Sequence, residues 1–114
     1  MNNVTLMGRM TKECELRFTN NGKLGIANIT LAVENPYNKD KTNFINCVAF
    51  GKTAEIITDH VKKGDQIGVV GHIETGSYEK EGRTIYTTTV NIDRFTFGAS
   101  KKVDSELKPS TNDD

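Results

Sequence analysis

The chain has 114 residues, 15 Lys or Arg against 15 Asp or Glu, and a hydrophobic share of 35%. That length suits one domain and excludes two independent cores. The zero net charge excludes a strong overall field, so any affinity for a charged partner must come from where the charges lie.

Residues 4–10 alternate, with Val4, Leu6 and Gly8 on one side and Thr5, Met7 and Arg9 on the other. A period of two predicts a strand. Thr19-Asn20-Asn21-Gly22-Lys23 predicts a turn, because Asn and Gly tolerate positive φ. Residues 25–34 form the second strand, with Ile29, Leu31 and Val33 on one face. Residues 35–42 read as a loop: Pro36 cannot donate to a ladder, and the Asn, Asp and Lys content favours solvent.

The third strand spans residues 43–50, with Phe44, Asn46, Val48 and Phe50 on one face and Ile45, Cys47 and Ala49 on the other. The period then changes. Ala54, Ile57 and Val61 recur at helical spacing, which predicts a helix from Thr53 to Lys63. Thr53 is its expected cap, Glu55 and Lys62-Lys63 complement the dipole, and Gly64 closes it in the left-handed conformation. Strands over 66–78 and 84–97 follow, joined by a tip at Glu79-Lys80-Glu81-Gly82-Arg83. Gly68 and Gly71 mark bends. Three strands, one short helix between strands 3 and 4, and two more strands match an all-β, five-stranded OB barrel. A β-grasp or SH3-like barrel shares the strand count.

Residues 99–114 contain only Val103 and Leu107 as larger aliphatics, end acidic, and are expected to be a disordered tail. No apolar run is long enough to span a membrane, and Met1-Asn2-Asn3-Val4-Thr5 is not a signal peptide. Cys14 and Cys47 lack CxxC or zinc spacing and read as free thiols of a cytoplasmic protein.

Little here suggests catalysis. His60 and His72 stand at no metal-ligand spacing from Cys, His or carboxylate, and read as solvated or packed histidines. There is no Gly-rich phosphate loop. No cofactor, metal site or enzyme activity is expected.

The aromatics are more informative. Tyr37 sits in a polar loop, Phe44 and Phe50 share one strand face, and Tyr78 ends the polar run Glu74-Thr75-Gly76-Ser77. Lys39, Lys41, Lys52, Lys80 and Arg83 lie close to them. Rings interleaved with cations suit unpaired nucleic acid, since bases stack on the rings and phosphates follow the cations. Phe44 and Phe50 could instead face the barrel interior. The small Cys47 and Ala49 suit a tight interior and favour the outward placement.

Five segments together resemble the bacterial-type single-stranded-DNA-binding protein family over about residues 2–97. They are Asn3-Val4-Thr5-Leu6-Met7-Gly8-Arg9 with Glu15-Leu16-Arg17-Phe18, Ala27-Asn28-Ile29-Thr30-Leu31-Ala32-Val33, Phe44 through Glu55, Val61-Lys62-Lys63-Gly64, and Tyr86-Thr87-Thr88-Thr89-Val90. The resemblance implies an OB fold over 1–98, a homotetramer, and sequence-independent binding of single-stranded DNA in replication, recombination and repair. It implies base stacking by Tyr37, Phe44, Phe50 and Tyr78. It also implies phosphate contacts from Arg17 and Lys52 together with the basic loop residues Lys39, Lys41 and Arg83. Several of the stacking positions are Trp in the family, so the smaller rings here offer less area.

The chain departs from the family in three places. Glu74-Thr75-Gly76-Ser77 replaces a basic approach to the fourth aromatic, and the loop after Tyr37 is short. The tail ends Ser110-Thr111-Asn112-Asp113-Asp114 without the hydrophobic anchor that docks replication and recombination proteins, a pattern expected of a phage- or mobile-element-encoded member. An OB-type protein-interaction module and an RNA binder are the competing readings.

Overall fold

A computed structural model describes residues 1–19 and 22–98. Asn20 and Asn21 of the expected first turn, and the expected tail over 99–114, lie outside the described residues. The elements are β1 (Val4–Met10), β2 (Glu15–Phe18), β3 (Gly25–Glu34), β4 (Thr42–Phe50), α1 (Gly51–His60), β5 (Gln66–Lys80) and β6 (Arg83–Phe97).

The sheet order is β1-β5-β6-β4-β3-β2, and it closes through a further pairing of β1 with β3. The closing strand is the first one. Val4–Arg9 pairs antiparallel with β5, Arg9 and Met10 pair with Ala32 and Leu31 of β3, and β2 continues along the same strand from Asn28 to Gly25. β1 and β2 therefore form one strand of the five-stranded scheme, broken at residues 11–14. The break is anchored where the amide and hydroxyl of Thr11 both donate to the carbonyl of Thr30, at 3.2 and 2.9 Å. Gly8 makes the crossing possible: a Cβ there would lie 2.7 Å from the Ala32 carbonyl oxygen. β4 and β6 meet in parallel at Cys47↔Val90 and Val48↔Asn91, and β5 pairs antiparallel with β6 along its whole length. This is the connectivity of an OB barrel, with its helix leaving the strand that precedes β5.

α1 differs at both ends from the sequence expectation. It starts at Gly51, whose φ of +63° turns the extended backbone of Phe50 directly into the helix, so no side chain caps it. Thr53 and Glu55 fall inside the helix rather than at its cap and first turn. The helix ends at His60, where Val61 donates to the Ile57 carbonyl, so Lys62 and Lys63 lie beyond its last turn. Gly64 does adopt positive φ, but its amide donates to Met10, tying this turn to β1 instead of closing the helix.

The core is one cluster in which Ala27, Ile29, Leu31, Cys47, Ala49, Ile67, Val69, Val90 and Ile92 fill the barrel, with Ala54, Ile57 and Val61 packed against them. A fully buried aliphatic side chain contributes about 1.5–3 kcal/mol, and Leu31, Ile57 and Ile67 are each wholly buried. Beyond the barrel, β5 and β6 continue as a two-stranded arm paired without interruption to Lys80↔Arg83. Its tip is tighter than expected. Glu81 and Gly82 alone make the turn, with φ of +51° and +77°, the signature of a two-residue turn matched to strand twist.

Candidate nucleic-acid interface

β4 shows how the sheet sorts its side chains. Cys47 and Ala49 are buried, and Ile45 packs on the core from its edge. The opposite face carries Phe44 and Phe50, exposed at 65% and 41%. The outward placement is therefore the observed one. The register extends this face across the neighbouring strands. Ala32 stands opposite Phe44, Thr30 opposite Asn46, Asn28 opposite Val48, and Ile26 opposite Phe50. Arg17 of β2 pairs with Ile26, so a guanidinium-bearing side chain, Ile26 and the Phe50 ring occupy one cross-strand row. Lys52 lies exposed in the first turn of α1, just past Phe50.

Tyr37 is almost fully exposed, at 96%, in the loop between β3 and β4. Two side-chain turns shape that loop. The amide of Tyr37 donates to Asn35 Oδ1 at 2.8 Å, and that of Asp40 to Asn38 Oδ1 at 3.0 Å. The Asn35 amide also donates across the loop to the Lys41 carbonyl, at 3.3 Å. Lys39 and Lys41 are exposed on the same loop. Tyr78 is 52% exposed near the end of the arm, across from Ile85, and Arg83 is exposed at the tip. All four ring positions and the five cations expected to contact phosphates are on the surface. Phe44 and Phe50 share one strand face, whereas Tyr37 and Tyr78 stand on two separate projections.

The structure adds residues that the sequence reading passed over. Tyr86 is 80% exposed, more than Phe44 or Phe50, and with Thr88 it walls a cleft of about 410 Å³ that also touches Asn28, Thr30 and Asn46. Period-two spacing puts Tyr86 in phase with the buried Val90 and Ile92, which reads as core; the barrel ends before it. His72, expected to be a solvated or packed histidine, is instead held between two carboxylates. Its Nε2 lies 2.8 Å from Glu74 Oε2 and its Nδ1 3.2 Å from Asp93 Oδ2. The hydrogen bond to Asp93, then the one to Glu74, raises its pKa above the usual histidine value. Glu74, the acid expected to weaken the approach to Tyr78, is therefore engaged by a neighbouring histidine. His60 is edge-on to Phe97, with centroids 6.2 Å apart. Among the described residues no group of three His, Cys, Asp or Glu could hold a metal ion, and no helix is long and apolar enough to cross a membrane.

A family model described as the Single-strand binding protein family matches residues 1–98. The chain belongs to that family. Among its relatives, a protein of Clostridium perfringens named single-stranded DNA-binding protein is 48% identical over 98 residues, 85% of this chain and 65% of that protein. Proteins of the same name from Fusobacterium nucleatum and Halalkalibacterium halodurans are 41% and 42% identical, over 89% and 85% of this chain and 69% and 60% of theirs. The chain thus spans about two thirds of the length of these relatives. Membership accords with the OB connectivity described above and sets aside the β-grasp and SH3-like alternatives.

Proposed function

We propose that this family member binds single-stranded DNA with little regard to sequence, in replication, recombination and repair. One observation carries the reading most: Phe44 and Phe50 project from the outer face of β4 while Cys47 and Ala49 fill the barrel, so two rings stand bare on a sheet flanked by Arg17 and Lys52. Exposed rings of this size cost hydrophobic free energy in water, and an unpaired base covers them. Tyr37 and Tyr78 extend the stacking path. Arg17, Lys39, Lys41, Lys52 and Arg83 follow the phosphates.

Residues 1–98 are the binding domain in this reading, and the acidic segment 99–114 meets protein partners or competes for the groove. The assembly is a homotetramer in the cytoplasm, without catalysis or cofactor. The relatives' printed names, single-stranded DNA-binding protein, support the ligand class.

The test is substitution of a platform. Phe50→Ala weakens binding of a single-stranded oligonucleotide by about 1–3 kcal/mol, the stacking increment per base. Unchanged affinity removes Phe50 from the path.

A further inference from the structure

We propose that His72, Glu74 and Asp93 form a proton-operated switch on the path of the DNA to Tyr78: the charged imidazole offsets one of the two carboxylates and admits phosphates, and the neutral imidazole leaves both to repel them. This rests on the reading of the chain as a single-stranded-DNA binder and assigns a regulator to that surface.

The register fixes where the cluster lies. Asn28 of β3 stands opposite Val48 of β4, Val48 opposite Asn91 of β6, and Asn91 opposite His72 of β5. His72 therefore ends a cross-strand row that starts on the sheet face carrying Phe44 and Phe50. Side chains alternate along a strand, so His72, Glu74, Gly76 and Tyr78 share that face. Tyr78 lies beyond Glu74 by about 13 Å of extended strand. Gly76 stands between them without a side chain, so nothing on β5 separates the Tyr78 ring from the Glu74 carboxylate. DNA running from the two phenylalanines to Tyr78 crosses the cluster.

The cluster has a defined charge balance. Glu74 Oε2 lies 2.8 Å from His72 Nε2, and Asp93 Oδ2 lies 3.2 Å from Nδ1. A neutral imidazole has one N–H and donates to only one of these carboxylates, whereas the charged ring donates to both. An acceptor at each nitrogen suits the charged form, and the bonds to Asp93 and Glu74 raise the His72 pKa. Two carboxylates and an imidazolium leave one net negative charge; with the ring neutral there are two. Glu74 and Asp93 are each more than half exposed, so their field reaches a phosphate through solvent and salt screens it. By linkage, a phosphate near the cluster favours the charged ring, so binding and protonation strengthen each other.

The surroundings are otherwise simple. Asn91, opposite His72, is neutral. So is Asn2, whose side-chain amide accepts from the Ile73 amide at 2.8 Å and donates to the Ile73 carbonyl at 2.9 Å, which fixes β5 beside the cluster independently of the proton. The nearby charges are the terminal amine of Met1, next to Asn2, and Arg94, opposite Val70 on the barrel side of the bulge. Both are retained in every variant of the test.

The experiment is a fluorescence-anisotropy titration of the full chain with a labelled oligo-dT of several tens of nucleotides. Wild type, His72→Gln and Glu74→Gln are compared at about pH 5.5 and about pH 8.5, at low and moderate salt. Circular dichroism melting at each pH verifies that the barrel is intact. Glu74 is exposed, so Glu74→Gln carries the test even where His72→Gln perturbs the fold. At low salt, wild type should gain about threefold more affinity on acidification than His72→Gln, whose side chain cannot charge, and moderate salt should shrink that excess. Glu74→Gln at the upper pH carries the same single negative charge as wild type at the lower one, and should bind about threefold tighter than wild type there. Equal pH ratios in wild type and His72→Gln, or a Glu74→Gln affinity at the upper pH no tighter than wild type's, overturn the switch while single-strand binding stands. If wild type binds oligo-dT at neither pH, both readings fall together.

Discussion

Gly71 faces the carbonyl oxygen of Asn91 so closely that no side chain fits between them. A Cβ on Gly71 would overlap that oxygen and lie 3.1 Å from the Ile92 Cα, both backbone atoms of the paired strand. The contact falls at the β-bulge between Val70 and Gly71, where β5 leaves the barrel to form the arm. The bulge skips Asp93, because Val70 pairs with Arg94 and Gly71 with Ile92.

The close approach predicts that Gly71→Ala destabilises the chain by about 1–3 kcal/mol or more, the cost of forcing atoms into a packed site. Gly82→Ala, by contrast, adds a Cβ in open space and pays only for its positive φ. Chemical denaturation of both variants tests this. A Gly71→Ala midpoint equal to wild type would mean that the bulge relaxes freely.

The same bulge brings Asp93 within reach of His72, and it predicts a pH dependence of stability. The folded pKa of His72 is raised above its unfolded value by its hydrogen bonds to Asp93 and Glu74. A raised folded pKa adds stability that is fully present below the unfolded value, about 6.5. That stability is lost as pH rises through the folded pKa. Melting temperatures of wild type and His72→Ala should therefore differ more at about pH 5.5 than at about pH 8.5. An equal difference at both values would mean that the His72 contacts carry no charge-dependent stability.

The two thiols should react differently. Cys47 is buried inside the barrel, and burial pushes its pKa up to about 11. Cys14 is half-buried and lies 3.3 Å from the Thr58 hydroxyl. With a thiol reagent near neutral pH, Cys14 should label in the native protein and Cys47 only after unfolding, because the thiolate is the reactive form. Mass spectrometry of peptides from the labelled protein gives the order. Native labelling of Cys47 at the rate of Cys14 would mean that the barrel opens readily.

The readable parts of this chain were those governed by side-chain alternation. Alternation separated Phe44 and Phe50 from Cys47 and Ala49 on β4 but left open which of the two faces is the interior, and the closed barrel decides it by burying Cys47 and Ala49. Strand β3 appeared with its observed bounds. Features set by closure were hidden. The break between β1 and β2 depends on Thr30, a residue remote in sequence. Tyr86 kept the phase of buried residues but lay past the end of the barrel, and alternation does not say where a barrel stops. The partners of His72 include Asp93, a contact that depends on the bulge pairing. The helix start escaped because Gly51, through its backbone alone, replaces the expected cap.

Competition between single and double strands tests the account most directly. A labelled oligo-dT of several tens of nucleotides is titrated with the full chain at low and moderate salt, then challenged with unlabelled duplex DNA. Exposed rings and a handful of cations predict binding that duplex does not displace. They also predict an affinity that falls with salt by about 0.7 log units per phosphate contacted for each tenfold rise in salt. Equal binding to duplex, or none to either form, would contradict single-strand recognition by this surface.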